Sequence, residues 1–464
     1  MIRKIPYIDT LIECIGLCRE SYIVGGTVRD LILNRQVRDY DFVLSDSPFH
    51  IARGFAESIN GAYVVLHERF PTARVVKGDC IFDFTSFRGG SIAGDLLSRD
   101  FTVNAIAVSI FNPVNKPIDV TGGMDDVNDK VIRMVSKDNL SDDPVRMLRA
   151  FRLAAELGFT IEQGTLDAIT ALRGLISVSA VERVWAEFKM LLQACSSTEI
   201  LKLLRDTGLL FELLPELEPL RGLRQNRYHH LDVFDHTMAA YRQAEEIINN
   251  AGLPITPDLR AWLDKNPLKC GLIKLSILLH DVGKYQSQGQ SADGQCTFHR
   301  HEHEGEEIAA NILSRFNASV KETEFVTMLV KNHMRMLAFK RVGRLDLARM
   351  KKPLIRLLNT VGDDIYGLVV VWAADAGAKP EGKEETIGIC RGMLDFYECQ
   401  YMPRKTAPRF ITGRDLIETY GLTPSPLFSE IIGAVELKTL EGLIDSKDKA
   451  ASLVEELLHA RGVR

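Results

Sequence analysis

The spacing of apolar residues changes once along the chain, and this change limits the folds that the chain can adopt. Between residues 20 and 125, short runs rich in β-branched and aromatic residues alternate with glycine turns, which is typical of strands in a mixed α/β unit. From about residue 142 almost to the end, apolar residues recur every three or four positions, which predicts helices. The sequence therefore predicts an α+β fold with a mixed-sheet head followed by an all-helical body.

The 464 residues are enough for about three ordinary domains, so more than one active site is possible. We expect a head over 1–130, a helical neck over 131–225, a second globular domain over 226–380 and a helical tail over 381–464. Prolines near 380 and 403 suggest that 378–410 forms a connection to the tail.

Composition excludes several classes of protein. No run of about 18 apolar residues is free of charge, and the first residues lack the apolar core of a secretory signal, so we expect a cytoplasmic protein without a membrane partner. The eight cysteines are scattered without a CxxC pair, which fits reduced thiols better than disulfides or a zinc framework. Because the net charge is −5, any contact with nucleic acid must come from local basic patches.

Basic residues gather at two places in the helical body. These residues are Lys340, Arg341, Arg344, Arg349, Lys351, Lys352 and Arg356, followed by Arg404, Lys405 and Arg409. Spaced along helices, they could follow a phosphate backbone. They could equally be the solvated faces of those helices.

A glycine pair near the amino end suits the binding of an anion. Ser21–Val24 is predicted to be a strand, Gly25 and Gly26 form a turn, and a helix starts at Thr27. Glycines let the backbone approach a ligand closely, and the helix start directs amide donors at an anion. Taken alone, the same residues are explained by an ordinary strand-to-helix turn.

Two carboxylates follow on the next predicted strand. Side chains alternate along a strand, so Asp39 and Asp41 share one face while Tyr40 and Phe42 face the core. Neighbouring carboxylates repel unless a cation lies between them, and hard oxygen ligands suit Mg²⁺. Asp83, on a later predicted strand, fits as a third carboxylate. The alternative is a solvated strand face.

Eight of the eleven histidines lie between 229 and 333, which indicates a second site. They accompany carboxylates in predicted helices at Tyr228–His236, Leu278–Lys284, Phe298–Gly305, Asn332-His333 and Ala374-Asp375. Imidazoles and carboxylates together favour a divalent metal. For any single histidine, a hydrogen-bonded core residue is the alternative.

Six motifs in order over about 160 residues resemble those of the class II tRNA nucleotidyltransferase and bacterial poly(A) polymerase family. They are Gly25-Gly26-Thr27-Val28-Arg29-Asp30, the pair Asp39 and Asp41, Ser98-Arg99-Asp100-Phe101-Thr102-Val103-Asn104-Ala105, Asp119 to Asp126 with Gly122-Gly123, Asp142-Asp143 with Arg146, Arg149 and Arg152, and Glu182-Arg183 with Glu187. The resemblance implies a polymerase beta-like nucleotidyltransferase head in which Asp39, Asp41 and Asp83 are catalytic and the first two hold Mg²⁺.

The resemblance also implies a set of nucleotide-binding residues. They are Gly25, Gly26, Arg29, Arg99, Asp100, Asn104, Asp143, Arg146, Arg149 and Arg152. Asp143 and Arg146 would select CTP and ATP in place of a template, because a carboxylate beside a guanidinium offers acceptors and donors to the pairing edge of a base. We expect Asp143, Arg146 and Arg149 on one helix face, with an i,i+3 surface salt bridge as the alternative for the first two. The implied partners are the tRNA 3′ acceptor end, CTP and ATP, with no DNA.

The histidine-rich region resembles an HD domain. His236, His280, Asp281 and Asp375 match its metal ligands, His303 and His333 resemble the extra ligands of members with a second metal, and Lys284 lies close enough to contact phosphate. His229, His299 and His301 match less well. The resemblance implies a phosphodiesterase or phosphatase using a divalent transition metal such as Ni²⁺, Mn²⁺ or Co²⁺. The alternative is a retained scaffold that helps to hold tRNA.

Three positions depart from the family pattern. Ser98 replaces the first arginine of its motif, Asp142 replaces a glutamate, and only Gly89–Gly94 separates Arg88 from Asp95, where CCA-adding relatives usually have a longer flexible loop. We therefore hypothesise that the enzyme is limited to, or biased toward, addition of C. Poly(A) synthesis and an HD hydrolase with a nucleotide-binding head are the alternatives. Ile411 to Leu416 resembles the tail motif of the same family.

Overall fold

A computed structural model describes residues 2–16, 20–67, 71–111, 116–225, 231–249, 256–292, 294–343 and 347–462. The chain divides into two compact units, Met1–Pro215 and Glu216–Arg464. Each unit is described by itself.

In the described part of the first unit, a seven-stranded mixed sheet has the strand order β3-β4-β5-β2-β1-β6-β7. Its strands are β1 (Ser21–Val24), β2 (Asp39–Leu44), β3 (Ala62–His67), β4 (Thr72–Lys77), β5 (Cys80–Ser86), β6 (Ile106–Ser109) and β7 (Ile118–Asp119). The accompanying helices are α1 (Ile8–Ile15), α2 (Gly26–Ile32), α3 (Pro48–Ile59), α4 (Ile92–Leu97) and α5 (Gly123–Asp129). β2 pairs with β5 in parallel, and the other neighbours pair antiparallel.

Aromatic stacking fixes which face of the sheet is covered. Tyr40 and Phe42 of β2 stack on Phe82 and Phe84 of β5, with ring centroids 5.2 and 5.1 Å apart. Phe55 of α3 packs edge-on against both β5 rings. Because side chains alternate, the acidic residues of β2 and β5 lie on the opposite face from α3.

A turn from Asp119 to Gly123, of which only Gly123 is buried, connects the sheet to the neck. The Asp119 carboxylate accepts hydrogen bonds from the amides of Thr121, Gly122, Gly123 and Met124 and so caps the start of α5. Gly123 packs directly against the carbonyl of Thr102, in a short 3₁₀ helix at Thr102–Asn104. This motif is therefore structural here: it supports the turn that carries Arg99, Asp100 and Asn104.

The remainder of the first unit, called the neck here, is mainly helical. It contains α6 (Lys137–Asp142), α7 (Val145–Leu157), α8 (Gln163–Leu172), α9 (Val181–Gln193), α10 (Thr198–Asp206) and α11 (Leu209–Leu213), with a two-stranded pairing of β8 (Val131–Ile132) and β9 (Thr160–Ile161). The apolar residues of α7 are buried, and α7 packs against α9.

The described residues of the second unit are helical apart from a small hairpin and connecting turns. Its elements are α12 (Val233–Ile248), α13 (Pro257–Lys265), α14 (Pro267–Leu279), β10 (Gln288–Gln290), β11 (Cys296–Phe298), α15 (His301–Arg315), α16 (Val320–Asn332), α17 (Arg335–Gly343), α18 (Leu347–Val361), α19 (Ile365–Gly377), α20 (Lys383–Phe396), a π-helical turn (Tyr397–Tyr401), α21 (Met402–Thr406), α22 (Gly413–Glu418), α23 (Pro426–Glu441) and α24 (Lys447–Ala460). α14 is buried from Cys270 to Leu279 and packs against α12, α16 and α19. These helices form the core of the unit, and the predicted fold class is confirmed.

The stretch over 378–410, expected to connect to the tail, is mostly helical. α20 packs against α19, and the chain continues through the π-helical turn into α21. Pro403 lies directly after the π-helical turn, in a helical run that continues from α20, so its missing amide removes one helix hydrogen bond at this point. The last three helices bury their own apolar cluster, which includes Leu416, Ile431, Val435 and Val454.

Within the described residues, no helix combines the length and the apolar character needed to cross a bilayer.

The close packing of Gly123 makes a stability prediction. A methyl group at this position would lie 2.1 Å from the Thr102 carbonyl oxygen, whereas Gly54 in α3 has no neighbour within 4 Å of the same atom. We expect Gly123→Ala to destabilise the protein by about 2–3 kcal/mol through steric overlap. Gly54→Ala should stabilise it by up to about 1 kcal/mol through helix propensity. Thermal unfolding of both variants tests this; equal effects of the two substitutions would contradict it.

Candidate active sites

Two carboxylates face each other across the parallel strand pair in the head. Asp41 of β2 lies in register with Asp83 of β5, and Asp39 lies two residues earlier on the same face of β2. Burial, opposed by Arg99 and assisted by the charges of Asp83 and Asp39, raises the pKa of Asp41 to about 6. The predicted sharing of a face by these three acids is confirmed.

The hydroxyl group of Thr27 connects the glycine turn to β2 by two hydrogen bonds. Thr27 accepts a hydrogen bond from the Asp41 amide (2.9 Å) and donates one to the Asp39 carbonyl (3.1 Å). Gly25 has a φ of +70°, and a Cβ there would lie 2.7 Å from an Arg99 guanidinium nitrogen and 3.4 Å from the Asp41 carboxylate. Position 25 therefore requires glycine both for its backbone conformation and for the close approach of Arg99.

Sequence reasoning missed the partner of Asp83. Arg74 of β4 donates two hydrogen bonds of 2.8 Å to the two oxygens of Asp83. The antiparallel register of β4 and β5 places Arg74 directly opposite Asp83. Alternation of side chains on a predicted β4 would have indicated which face Arg74 occupies, but not which residue it faces.

A chain of hydrogen bonds joins the head to the neck. Arg29 donates to the Asn104 side-chain oxygen (2.7 Å), and Asn104 donates to Asp100 (3.1 Å). Asp100 in turn accepts from Arg149 of α7 (3.0 Å). Although burial opposes ionisation of Asp100, Arg149 and the hydrogen bond from Asn104 lower its pKa.

Glu187 of α9 extends the same chain. Its two carboxylate oxygens accept hydrogen bonds from Arg149 (2.9 Å) and Arg152 (2.6 Å). The carboxylate is almost fully buried, so these ion pairs are shielded from solvent. Glu187 belongs to one of the sequence motifs, but the sequence does not indicate that it lies between Arg149 and Arg152.

The predicted placement of Asp143 on α7 is wrong. α7 begins at Val145, and Asp143 has a non-helical conformation just after α6, because the residue before a proline disfavours the helical region. Asp143 accepts a 2.7 Å hydrogen bond from Arg183, while its ion pair with Arg146 is longer, at 3.7 Å. It is therefore held by α9 beside the start of α7.

Arg146 is partly held by the backbone. Its Nη1 donates to the carbonyls of Ser98 (3.1 Å) and Asn139 (3.2 Å). Among the described residues, its buried Nε has no hydrogen-bond partner. A buried donor without a partner is costly, so this atom is suited to a ligand.

In the second unit, histidines from four elements meet at one buried aspartate. One Asp281 oxygen lies 3.2 Å from His280 Nε2 and 3.9 Å from His236 Nε2. The other lies 3.3 Å from His301 Nε2 and 3.7 Å from His333 Nε2. Asp375 of α19 lies 3.0 Å from His236 Nε2. Among the described residues, two groups sharing Asp281 could each hold a metal: His236 with His280, and His301 with His333.

The orientation of the imidazoles suits metal ligands. The Nδ1 groups of His280, His301 and His333 donate to the carbonyls of Ile277, Phe298 and Val330, at 2.7, 2.8 and 2.6 Å. In a neutral imidazole this places the lone pair on Nε2, which faces the cluster. The Nε2 atoms of His301 and His333 are 3.1 Å apart. Two lone pairs at this distance repel each other unless a cation or a proton lies between them.

The charges of the cluster are strongly coupled. Burial lowers the pKa values of His236 and His333. Burial acts in the same direction on His280, but the neighbouring Asp281 reverses it and raises the pKa of His280. Despite their burial, Asp281 and Asp375 have pKa values well below the usual range because histidine and lysine charges surround them.

The expectation for His303 is corrected by the structure. Its side chain is 47% exposed and lies near Glu302, whereas the side chain of His301 is 4% exposed and faces Asp281. The side chains of the other five predicted ligands, His236, His280, Asp281, His333 and Asp375, do lie together. His229 lies outside the described residues.

A cavity of about 700 Å³ opens beside this cluster. Its lining includes Asp281, His301, His333, Phe298 and Trp372. Two further lining residues are lysines: Lys284 donates to Asp281 and Lys379 donates to Asp375, both at 2.6 Å. The cavity therefore combines the metal-ligating groups with cationic and aromatic side chains.

Some of the basic residues proposed as RNA contacts already have acidic partners. Lys405 and Arg409 both lie near Glu436, at 2.7 and 3.6 Å. Arg344 lies outside the described residues.

The fold and the two sites define a nucleotidyltransferase head joined to an HD-type metal domain. The model of the Poly A polymerase head domain matches residues 21–95 and 89–133, that of the probable RNA and SrmB-binding site of polymerase A matches 158–220, and that of the HD domain matches 233–361. The chain belongs to the family of tRNA nucleotidyltransferases and poly(A) polymerases.

Relatives of this family match nearly the whole chain. An A-adding tRNA nucleotidyltransferase of Deinococcus radiodurans is 31% identical, covering 93% of this chain and 94% of that protein. A CC-adding tRNA nucleotidyltransferase of Thermus thermophilus is 28% identical, covering 96% and 95%. The structure of the Thermotoga maritima CCA-adding enzyme complexed with tRNA has a TM-score of 0.65 at 20% identity, covering 98% of this chain and 96% of that one, and shows the same fold.

The raised pKa of Asp41 predicts a pH-dependent stability. Its folded pKa of about 6 exceeds the ordinary 3.8, so folding favours the protonated carboxyl, and stability falls as pH rises from about 4 to about 6. In EDTA, Asp41→Asn should be more stable than the wild type above pH 6, by roughly 1–2 kcal/mol after allowance for partial exposure. This advantage should vanish below pH 4 and shrink when Mg²⁺ is added. Urea unfolding between pH 4 and 8 measures it; a constant difference would contradict the assignment.

Proposed function

We propose that this protein is a template-independent nucleotidyltransferase that adds C residues to the 3′ end of tRNA, using CTP and Mg²⁺. The observation that carries the proposal is the register of Asp41 with Asp83 beside Asp39, next to the chain of Arg29, Asn104 and Asp100. The three carboxylates are suited to a divalent metal, and the adjoining residues Arg29 and Asn104 are suited to a triphosphate. Family membership and the tRNA-acting relatives support the same assignment.

The head carboxylates fit a bound Mg²⁺. Burial and the charges of Asp83 and Asp39 raise the pKa of Asp41. A bound cation would lower it again by offsetting the repulsion between the carboxylates. Asp39 and Asp41 would hold the ion, and Asp83 lies beside them. A Mg²⁺ ion held there would supply Lewis-acid activation for attack of the RNA 3′-hydroxyl on the nucleotide.

The other motif residues of this chain bind and orient the nucleotide. The glycine turn at Gly25 lets Arg99 reach the carboxylates, and the two arginines Arg29 and Arg99 offer donors to phosphate oxygens. The Nε of Arg146 lies 3.7 Å from an Asp143 oxygen without forming a hydrogen bond, so this N–H and the Asp143 oxygens would be available to a base. Arg149 and Arg152, both fixed by Glu187, position these elements.

The short link at Gly89–Gly94 supports a restriction to C addition. Gly89 and Gly90 have positive φ angles, and a Cβ on Gly94 would lie 2.8 Å from the Gly89 carbonyl oxygen. The Ser91 hydroxyl accepts the Gly94 amide and caps α4, and Asp95 accepts from the Arg88 amide and from Arg99. A link that is this short and closed by hydrogen bonds cannot change its conformation to adapt the site from CTP to ATP. The similarity to an A-adding enzyme favours addition of A as the second candidate.

Extension of a tRNA lacking CCA tests this function. With CTP and ATP, the wild type should stop after two C residues, because the link cannot adapt the site to ATP. Asp39→Ala with Asp41→Ala should abolish extension, by more than about a thousandfold, since no carboxylate pair remains to hold Mg²⁺. Gel analysis of the labelled tRNA measures both.

The alternatives give different products in the same assay. Efficient addition of A to tRNA ending in CC would overturn the restriction to C. Long A tracts would indicate poly(A) synthesis.

We further propose that the HD-type cluster is a phosphohydrolase centre that holds a divalent transition metal such as Ni²⁺, Mn²⁺ or Co²⁺. The donor set of imidazole Nε2 atoms and carboxylates supports such an ion, with His236, His280, Asp281 and Asp375 as one group. His301 and His333 would serve a second ion through the other oxygen of Asp281. Bound metal would supply an activated water, while Lys284 and Lys379 offer cations to a phosphate ester.

His301 and His303 provide a matched pair of variants, because only the first faces Asp281. His301→Ala should reduce hydrolysis of 2′,3′-cyclic nucleotides or p-nitrophenyl phosphate esters by about a hundredfold or more, because one metal group loses a ligand. His303→Ala should stay within about twofold. Metal content by mass spectrometry should fall only in the first variant. Equal behaviour of the two variants, or absence of turnover with every metal, would favour a scaffold.

A further inference from the structure

The open face of the head sheet continues beyond the carboxylates to an exposed edge. Asp41 of β2 is in register with Asp83 of β5, Asp83 with Arg74 of β4, and Arg74 with Val64 of β3. The pairing of Arg74 with Asp83 places these two side chains on the same face. Four neighbouring strands thus present one row across the sheet that ends at an apolar side chain, 45% exposed.

The two sides of the carboxylates differ in chemistry. On the β1 and β6 side lie the glycine turn, Arg29, Arg99 and Asn104, which are suited to the triphosphate. The β5, β4 and β3 side carries Arg74 and Val64. In-line displacement places the attacking hydroxyl opposite the leaving pyrophosphate, so the acceptor strand must approach from the side away from the triphosphate.

The residues on that side suit the end of an RNA chain. Arg74 is partly exposed and commits Nε and one Nη to Asp83, and among the described residues its other Nη has no hydrogen-bond partner. A guanidinium in this position offers donors to a phosphodiester. Val64 offers an apolar surface on which a ribose or base could pack.

We propose that Arg74 and Val64 form the subsite for the 3′-terminal nucleotide of the acceptor RNA. Arg74 binds the phosphodiester of that nucleotide and, through its bond to Asp83, links acceptor binding to the catalytic carboxylates. Val64 supports the sugar and base at the open edge. This inference rests on the proposed nucleotide transfer to RNA and adds the direction from which the acceptor enters.

Two equally exposed valines on the same strand provide the test. Val65 is 42% exposed, but it pairs with the buried Ala73, so it lies on the opposite face from Val64. Val64→Asp should raise the KM for tRNA about tenfold through repulsion of the phosphate backbone, with the KM for CTP unchanged. Val65→Asp should leave both constants unchanged, and Val64→Lys should lower the KM for tRNA.

Arg74 is tested in the same assay. Arg74→Gln should raise the KM for tRNA about tenfold, and Arg74→Lys should restore part of the loss, because charge is regained without the paired donors. Both variants should keep the KM for CTP near the wild-type value. Thermal unfolding of each variant checks that the sheet is intact.

The outcomes separate this inference from the function on which it rests. If the wild type extends tRNA but Val64→Asp behaves like Val65→Asp, the subsite is overturned and the function stands. The subsite is equally overturned if Arg74→Gln raises the KM for CTP as much as that for tRNA. If the wild type neither extends nor binds tRNA, both fail together.

Discussion

The parallel pairing of β2 with β5 is the constraint on which the head depends. It sets Asp41 opposite Asp83 and, on the reverse face, sets Phe42 on Phe84 and Tyr40 on Phe82. The packing of these rings against α3 stabilises the register, and the register brings like charges together on the other face. A slip of one residue would exchange the two faces and bury the acids against α3. Apolar packing thus holds Asp41 in a buried position where its ionisation is disfavoured, even though Arg74 and Arg99 lie nearby.

A buried chain of ionic hydrogen bonds fixes the position of the turn at Asp100 relative to the neck. Arg149 connects Asp100 to Glu187, and Glu187 also holds Arg152. Removing one member would leave its buried partners without compensation, which costs far more than an exposed ion pair contributes. The elements that would contact phosphates and those that would contact the base are therefore held in a fixed mutual position inside the first unit.

The alternation and helical spacing of the sequence were enough to predict the fold class, whereas most of the candidate site residues came from the family resemblance. Alternation along β2 placed Asp39 and Asp41 on one face, and the helical spacing from about residue 142 predicted the helix found at α7. Local spacing could not show that Arg74 meets Asp83, because that contact depends on the register of two strands.

The predictions for Asp143 and His303 were wrong because each depends on the position where a helix begins. Asp143 lies outside α7 because a proline follows it. His301 and His303 stand two positions apart at the start of α15, and only the phase of that helix decides which one faces Asp281. Two residues correspond to about 200° around a helix, so a shift in its start exchanges a ligand for a solvated side chain.

The tight turn at Gly89–Gly94 limits how this segment of the chain could change by substitution. Two of its glycines need a left-handed backbone, and the third leaves no space for a methyl group. Single substitutions within this turn are strained, so it cannot be converted gradually, residue by residue, into a long mobile segment. A lineage that gained or lost such a segment would have exchanged the whole turn in one insertion or deletion, and intermediates would be rare.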